Sequence, residues 1–356
     1  MRNRIQRGRW RLLAVLVAAV SAWDAPASAG YKDDVGYTAL TNTYGVVPTG
    51  AGTTVIQVEA SVNATQPVFI PDTSNASFAG KTFTLWGTSQ GTSWHATTVG
   101  QYFYGAESLA PGTSNVWSFS ADDWINSMLR LGNTDGPLIP EGFQVVNHSW
   151  IGSITDADQA KQALRRLDAQ VDLGNVTMVV GVNNGTGTAI PQLLGNAYNV
   201  IAVGVSSGNS SAGPTTADGG GRAKPDIVAP LSYTSYATPV VGAAATLLID
   251  SALQQGKTNA ATPIMIKSLL LTGAEKLSGW HKGYDGTGDD HAVPLDFQQG
   301  AGQLRVDRSY AILQSPSTPA GVTATPLGWD YGNIGNGSTN YYHLNLQTAA
   351  SFTLTA

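Results

Sequence analysis

Cysteine is absent from all 356 residues, which excludes disulfide cross-links, a thiol nucleophile and a thiolate metal site together. Charge is sparse: Asp, Glu, Lys and Arg make up only 12% of the chain, and the formal net charge is −5. Long apolar runs are also wanting. The run Leu12–Val20 falls short of the ~20 residues that cross a bilayer, and no later segment reads as a span. Glycine is plentiful at 41 residues and apolar residues reach 42%, the composition of a compact protein rich in tight turns. The length suits one large core plus a modest appendage.

The first residues combine M-R-N-R-I-Q-R-G-R-W-R, the short apolar run and A-S-A before Gly30. This pattern predicts a secretory signal over residues 1–29, cut after Ala29, and a secreted or periplasmic protein with no membrane contact after the cut. Removal takes away five arginines and Asp24, leaving 14 basic against 23 acidic residues. Such an acidic surface excludes nucleic acid as a partner.

Residues 30–52 read as a polar, irregular arm ending in the turn P-T-G-A-G, with little room for a folding pro-segment. Strands are predicted at Thr53–Val58, Lys81–Trp86, Phe143–Asn147, Val176–Val182 and Val200–Val205, and helices at Ala121–Leu131, Asp156–Leu173 and Ala237–Leu253. Val- and Ile-rich runs without polar alternation, separated by helices, predict an α/β domain over residues 53–314: a mostly parallel sheet flanked by helices. After Ser315 the texture shifts to short alternating segments, predicting the start of a C-terminal β-domain over 315–356 that looks incomplete.

Nucleophilic catalysis without cysteine needs a hydroxyl, a base, a carboxylate to orient the base, and donors for an oxyanion. T-S-Y-A-T-P at Thr234–Pro239 puts Ser235 at the start of an apolar helix, near free N–H groups; alone, it reads as a helix cap first. S-W-H-A-T-T-V-G at Ser93–Gly100 offers His95 ahead of a segment with helical character. V-V-G-V-N-N-G at Val179–Gly185 offers Asn184 at a strand end, although N-N-G is also a plain turn signal. V-I-Q-V-E-A-S at Val55–Ser61 ends a strand with Glu59.

Together these segments resemble the subtilase family in identity, order and spacing. The nucleophile motif G-T-S-M-A-T-P stands here as Y-T-S-Y-A-T-P, the His motif H-G-T-H-V-A-G as H-A-T-T-V-G-Q, and A-A-G-N as Gly181–Asn184. K-P-D-I-V-A-P within Gly221–Pro230, N-V-I-A-V-G at Asn199–Gly204 and F-Q-Q-G-A-G at Phe297–Gly302 are similar too. The resemblance implies a secreted serine endopeptidase acting on protein or peptide substrates, with Ser235 as nucleophile, His95 as base, Glu59 as orienting acid and Asn184 as oxyanion donor. It also implies that N-H-S-W-I-G binds substrate through Ser149, Trp150, Ile151 and Gly152. No cofactor is required.

Departures from the family pattern are Glu59-Ala60-Ser61 in place of D-S/T-G, Tyr233 in place of Gly, and Ile151 in place of a Gly-like position. They leave open a weak or inactive fold that serves as a binding module. A second alternative is an esterase, since G-T-S-Q-G at Gly87–Gly91 matches a nucleophile elbow. Asp72, in a turn 23 positions before His95, is the rival acid to Glu59. D-G-T-G-D-D-H at Asp285–His291 with Asp296 partly matches a calcium loop but has Asp290 where glycine is needed; it reads as a solvated loop, with structural calcium the alternative. His148 reads as part of the substrate groove wall.

Overall fold

The computed structural model describes residues 30–190, 193–215, 222–283, 289, 293–345 and 353–355. Residues 1–29, where a secretory signal is predicted, and most of the 285–291 loop lie outside them. The arm at 30–52, irregular by composition, contains two short helices, α1 (Gly30–Asp34) and α2 (Tyr37–Tyr44). They are kept in place because Tyr31, Val35 and Leu40 are buried in the main core.

Strand β1 (Thr54–Glu59) is followed by β2 (Thr82–Trp86), helix α3 (Trp94–Phe103) and β3 (Asn115–Ser120). A short helix α4 (Ala121–Asp123) widens into a looser turn over Trp124–Met128, where one long helix was predicted. Then come β4 (Val145–His148), α5 (Ala157–Gly174), β5 (Thr177–Gly181), β6 (Ile201–Val205), the hairpin β7 (Gly213–Thr215) with β8 (Arg222–Lys224), and β9 (Ile227–Ala229). Helix α6 (Thr234–Gln254) is followed by α7 (Pro263–Gly273) and α8 (Val306–Gln314). Past Ser315 the described residues form two-residue strands only, β10 (Thr323–Ala324) paired with β11 (His343–Leu344).

Seven parallel strands make one sheet in the order β2-β3-β1-β4-β5-β6-β9, so the α/β expectation holds. Strand β3 escaped the sequence reading because N-V-W-S-F-S carries polar residues, yet Ser118 and Ser120 are buried between neighbours. Alternate β1 side chains face opposite ways: Val55 joins the core under α3, α6 and α7, while Ile56 and Val58 join the core under α5. Chain order reverses at β1, and ligands in open α/β sheets bind at the carboxyl ends of strands beside such a switch. By length and hydropathy, α6 could cross a membrane, contrary to the sequence reading, but 89% of its apolar window is buried inside the domain.

A buried ion cluster pins β9 to β6 just before the Ser235 segment. Lys224 Nζ lies 2.8 Å from Asp226 Oδ2 and donates to Ala197 O at 3.1 Å. Asp226 Oδ2 also accepts from Ala202 N at 2.8 Å. Burial pulls the Lys224 pKa down to about 8, against the opposing charge of Asp226. Asp226→Asn would leave this cation buried without its counter-charge, and is expected to cost about 3–5 kcal/mol, read as a lower urea midpoint at unchanged m-value.

Candidate active site

Glu59 closes β1, and its side chain is only 1% exposed. His95 is the second residue of α3, whose N-cap is Ser93: the Ser93 hydroxyl accepts from Ala96 N at 3.1 Å and so fixes the first turn. The His95 Nδ1–H donates to Glu59 Oε2 at 2.8 Å, a charge-assisted contact that sets the tautomer and leaves Nε2 free to accept a proton. Burial lowers the His95 pKa, but the charge and hydrogen bond of Glu59 together outweigh it, and the net shift is upward. Asp72, the rival acid, instead accepts from Ser74 N and the Ser74 hydroxyl at a turn.

Ser235 sits in the first turn of α6, half-buried, with Tyr233 at the N-cap position, so it is not the cap its sequence context suggested. Helix α6 packs on α3, and Tyr236 joins them, its ring centre 6.4 Å from that of His95. No hydrogen bond joins the Ser235 hydroxyl to His95 among the described residues; in the absence of substrate, nucleophile–base contacts are often long.

Pro239 lies four residues after Ser235 and has no N–H to offer the Ser235 carbonyl. Ser149 fills the gap, its hydroxyl donating to Ser235 O at 3.0 Å, while Asn147 Nδ2 donates to Ser149 Oγ at 2.9 Å. The first turn of α6 is thus tied to the end of β4.

Asn184 follows β5 and is turned by Thr234. Its Oδ1 accepts from Thr234 N at 2.8 Å, and the Thr234 hydroxyl lies 3.0 Å from the same atom and 2.7 Å from Val182 O. With Oδ1 so engaged, Nδ2 must face the other way. Neither Asn184 Nδ2 nor Ser235 N has an acceptor among the described residues. Two unspent donors beside a hydroxyl at a helix N-terminus can hold a developing anion.

The stretch 149–152 is divided. Ser149 and Trp150 are buried, and the Trp150 indole donates to His148 Nδ1 at 3.2 Å within the core under α5. Its ring is therefore turned into that core. Ile151 and Gly152 stay partly exposed, and Gly152 O accepts from Leu193 N at 3.2 Å. His148 is fully buried, and desolvation takes its pKa down to about 3, so it is a neutral core residue and not a groove wall. Ser89 lies in a loop that enters α3 only at Trp94, whereas a nucleophile elbow turns at once into its helix. Asp296, from the calcium-like pattern, accepts from His281 N, Gln298 N and Gln299 N, and no group of three or more His, Asp or Glu side chains among the described residues is placed to share a metal ion.

Comparison with known proteins places these features in a family. The family model for the subtilase family matches residues 95–302, more than half the chain, beginning at His95 and so after Glu59. The chain is 31% identical over 127 residues to the subtilisin-like protease SBT6.1 of Arabidopsis thaliana, covering 32% of this chain and 11% of that protein. It is 32% identical over 147 residues to the membrane-bound transcription factor site-1 protease of Mus musculus, covering 34% and 12%. The chain therefore spans about a ninth of the length of these curated relatives. Among solved structures, the prenylagaramide maturation protease PagA aligns with a TM-score of 0.53 at 19% identity, covering 74% of this chain and 95% of that one. The self-cleaved protease domain of PatA gives 0.50 at 20%, covering 75% and 98%. These likenesses confirm the fold, and the family match decides membership: the chain belongs to the subtilase family.

Proposed function

We propose that this protein is a secreted serine endopeptidase that hydrolyses peptide bonds through an acyl-enzyme. Ser235 Oγ attacks the scissile carbonyl while His95 Nε2 takes its proton, and the same proton later passes to the leaving amine. Glu59 holds the imidazolium that forms between these steps. Asn184 Nδ2 and Ser235 N donate to the oxyanion, and water then releases the acyl group by the reverse sequence. The observation that carries this reading is the partly buried contact of 2.8 Å between His95 Nδ1 and Glu59 Oε2, since it sets a carboxylate against the candidate base at the position where the sequence departs from its family.

The direct test is labelling with a fluorophosphonate probe followed by identification of the modified serine. Modification of Ser235 supports the reading; absence of any labelling favours an inactive binding fold, and modification of Ser89 favours an esterase.

Asn184→Ala is expected to lower kcat on the order of 10²–10³, the usual cost of one oxyanion donor, with KM little changed. A KM effect without a kcat effect would assign Asn184 to ground-state binding instead. Export is part of the proposal: N-terminal analysis of culture supernatant is expected to find Gly30 first, as the small residues Ala27 and Ala29 direct, and full-length material retained in cells would count against it.

A further inference from the structure

Gln57 sits two residues before Glu59 on β1 and so points to the same side of the sheet, toward α3. It is 1% exposed. Its Nε2 donates to Glu59 Oε1 at 3.0 Å and to the backbone carbonyl of Ala96, the neighbour of His95, at 2.8 Å. Its Oε1 accepts from the Tyr104 hydroxyl. The orientation of the amide is fixed by chemistry: Ala96 O and an ionised Glu59 can only accept, and a phenol that is kept protonated can donate. Tyr104 meets that condition, as burial and the nearby charge of Glu59 hold its pKa well above the ordinary tyrosine value.

We propose that Gln57 is a positioning residue for the Glu59–His95 pair and that Tyr104 holds Gln57 in turn. The inference rests on the reading of Glu59 as the orienting carboxylate. Glutamate has one more rotatable bond than the family's aspartate, so its reach is longer and its direction less defined. Among the described residues, Gln57 is the one donor to Oε1 and His95 the one donor to Oε2. With both oxygens pinned, the extra freedom of the side chain is removed before substrate arrives. The same amide ties β1 to the first turn of α3, so the strand bearing the acid and the helix bearing the base are locked in one register. Gly100 makes room for the device: a Cβ there would come 2.5 Å from the Tyr104 hydroxyl.

The test compares steady-state kinetics of the full chain with Gln57→Met, Tyr104→Phe, Glu59→Ala and the Gln57→Met/Glu59→Ala double variant. Gln57→Met is expected to lower kcat by roughly 10- to 100-fold, the range that outer hydrogen-bond partners command, with KM nearly unchanged. Tyr104→Phe should lie at the lower end of that range. In the Glu59→Ala background, Gln57→Met should cost nothing further, because its effect passes through the carboxylate. An unchanged kcat in Gln57→Met, or an equal loss with and without Glu59, overturns the inference. A Glu59→Ala variant as active as the parent sinks the reading of Glu59 itself, a separate result. If Gln57→Met fails to fold by circular dichroism, Tyr104→Phe decides. If the chain cleaves no peptide, the His95 Nδ1–H proton resonance takes the place of kinetics: it should move or broaden in both single variants, and an unchanged resonance refutes the relay.

Discussion

Ser235→Ala is expected to abolish peptide hydrolysis and fluorophosphonate labelling, a loss on the order of 10⁶ in kcat where a triad is intact, while the melting temperature stays close to that of the parent. The two halves of this outcome have separate causes. In the proposed mechanism the acyl ester forms on this hydroxyl, so its removal leaves no nucleophile. Structurally it does little: the N-cap position belongs to Tyr233, the Thr234 N–H is satisfied by Asn184, and the Ser235 carbonyl is satisfied by Ser149. None of these bonds uses Ser235 Oγ. Activity and thermal unfolding measured on the same preparation check both halves, and labelling that survives in Ser235→Ala but disappears in Ser89→Ala would overturn the assignment.

Glu59→Gln is expected to cost on the order of 10⁴ in kcat, because an amide favours the wrong imidazole tautomer. It should also move the pH profile. In the parent, the net effect on His95 is a raised pKa, with burial opposing and the Glu59 charge and hydrogen bond prevailing. A general base must be neutral, so kcat/KM of the parent should fall as pH drops through a value above the ordinary ~6.5 of histidine. Removing the charge leaves burial alone, and the acid limb should shift to lower pH. A pH–rate profile of residual activity reads this directly, and an upward shift, or parental activity, would exclude Glu59 as the partner of His95. Glu59→Asp is expected to lose activity as well, since a chain shorter by one methylene must give up His95, Gln57 or both.

The family was legible in the sequence because subtilase motifs are local, but the four candidate residues could be named only from the coincidence of those motifs: alone, the Ser235 and Asn184 segments also read as a cap and a turn, and Glu59 departs from the family pattern. The parallel sheet was legible for a related reason, since strands covered on both faces have no polar alternation. Strand β3 was hidden because its serines are buried beside neighbouring strands, and the helices of the arm because their apolar anchors are few. Gln57 left only a weak trace, a second polar residue on the Glu59 side of an otherwise apolar strand.

What the sequence by itself determined is which residues stand at strand and helix ends and what chemistry they can do, since motif and periodicity depend only on neighbours along the chain. Tertiary structure alone decided that Glu59, and not Asp72, meets His95, that Thr234 aims the Asn184 amide, that Trp150 and His148 turn into the core, and that Gln57 and Tyr104 stand behind the acid. Those pairings join residues up to 50 positions apart. Their partners are fixed by strand order and helix packing, which place the paired atoms within 3.2 Å of one another.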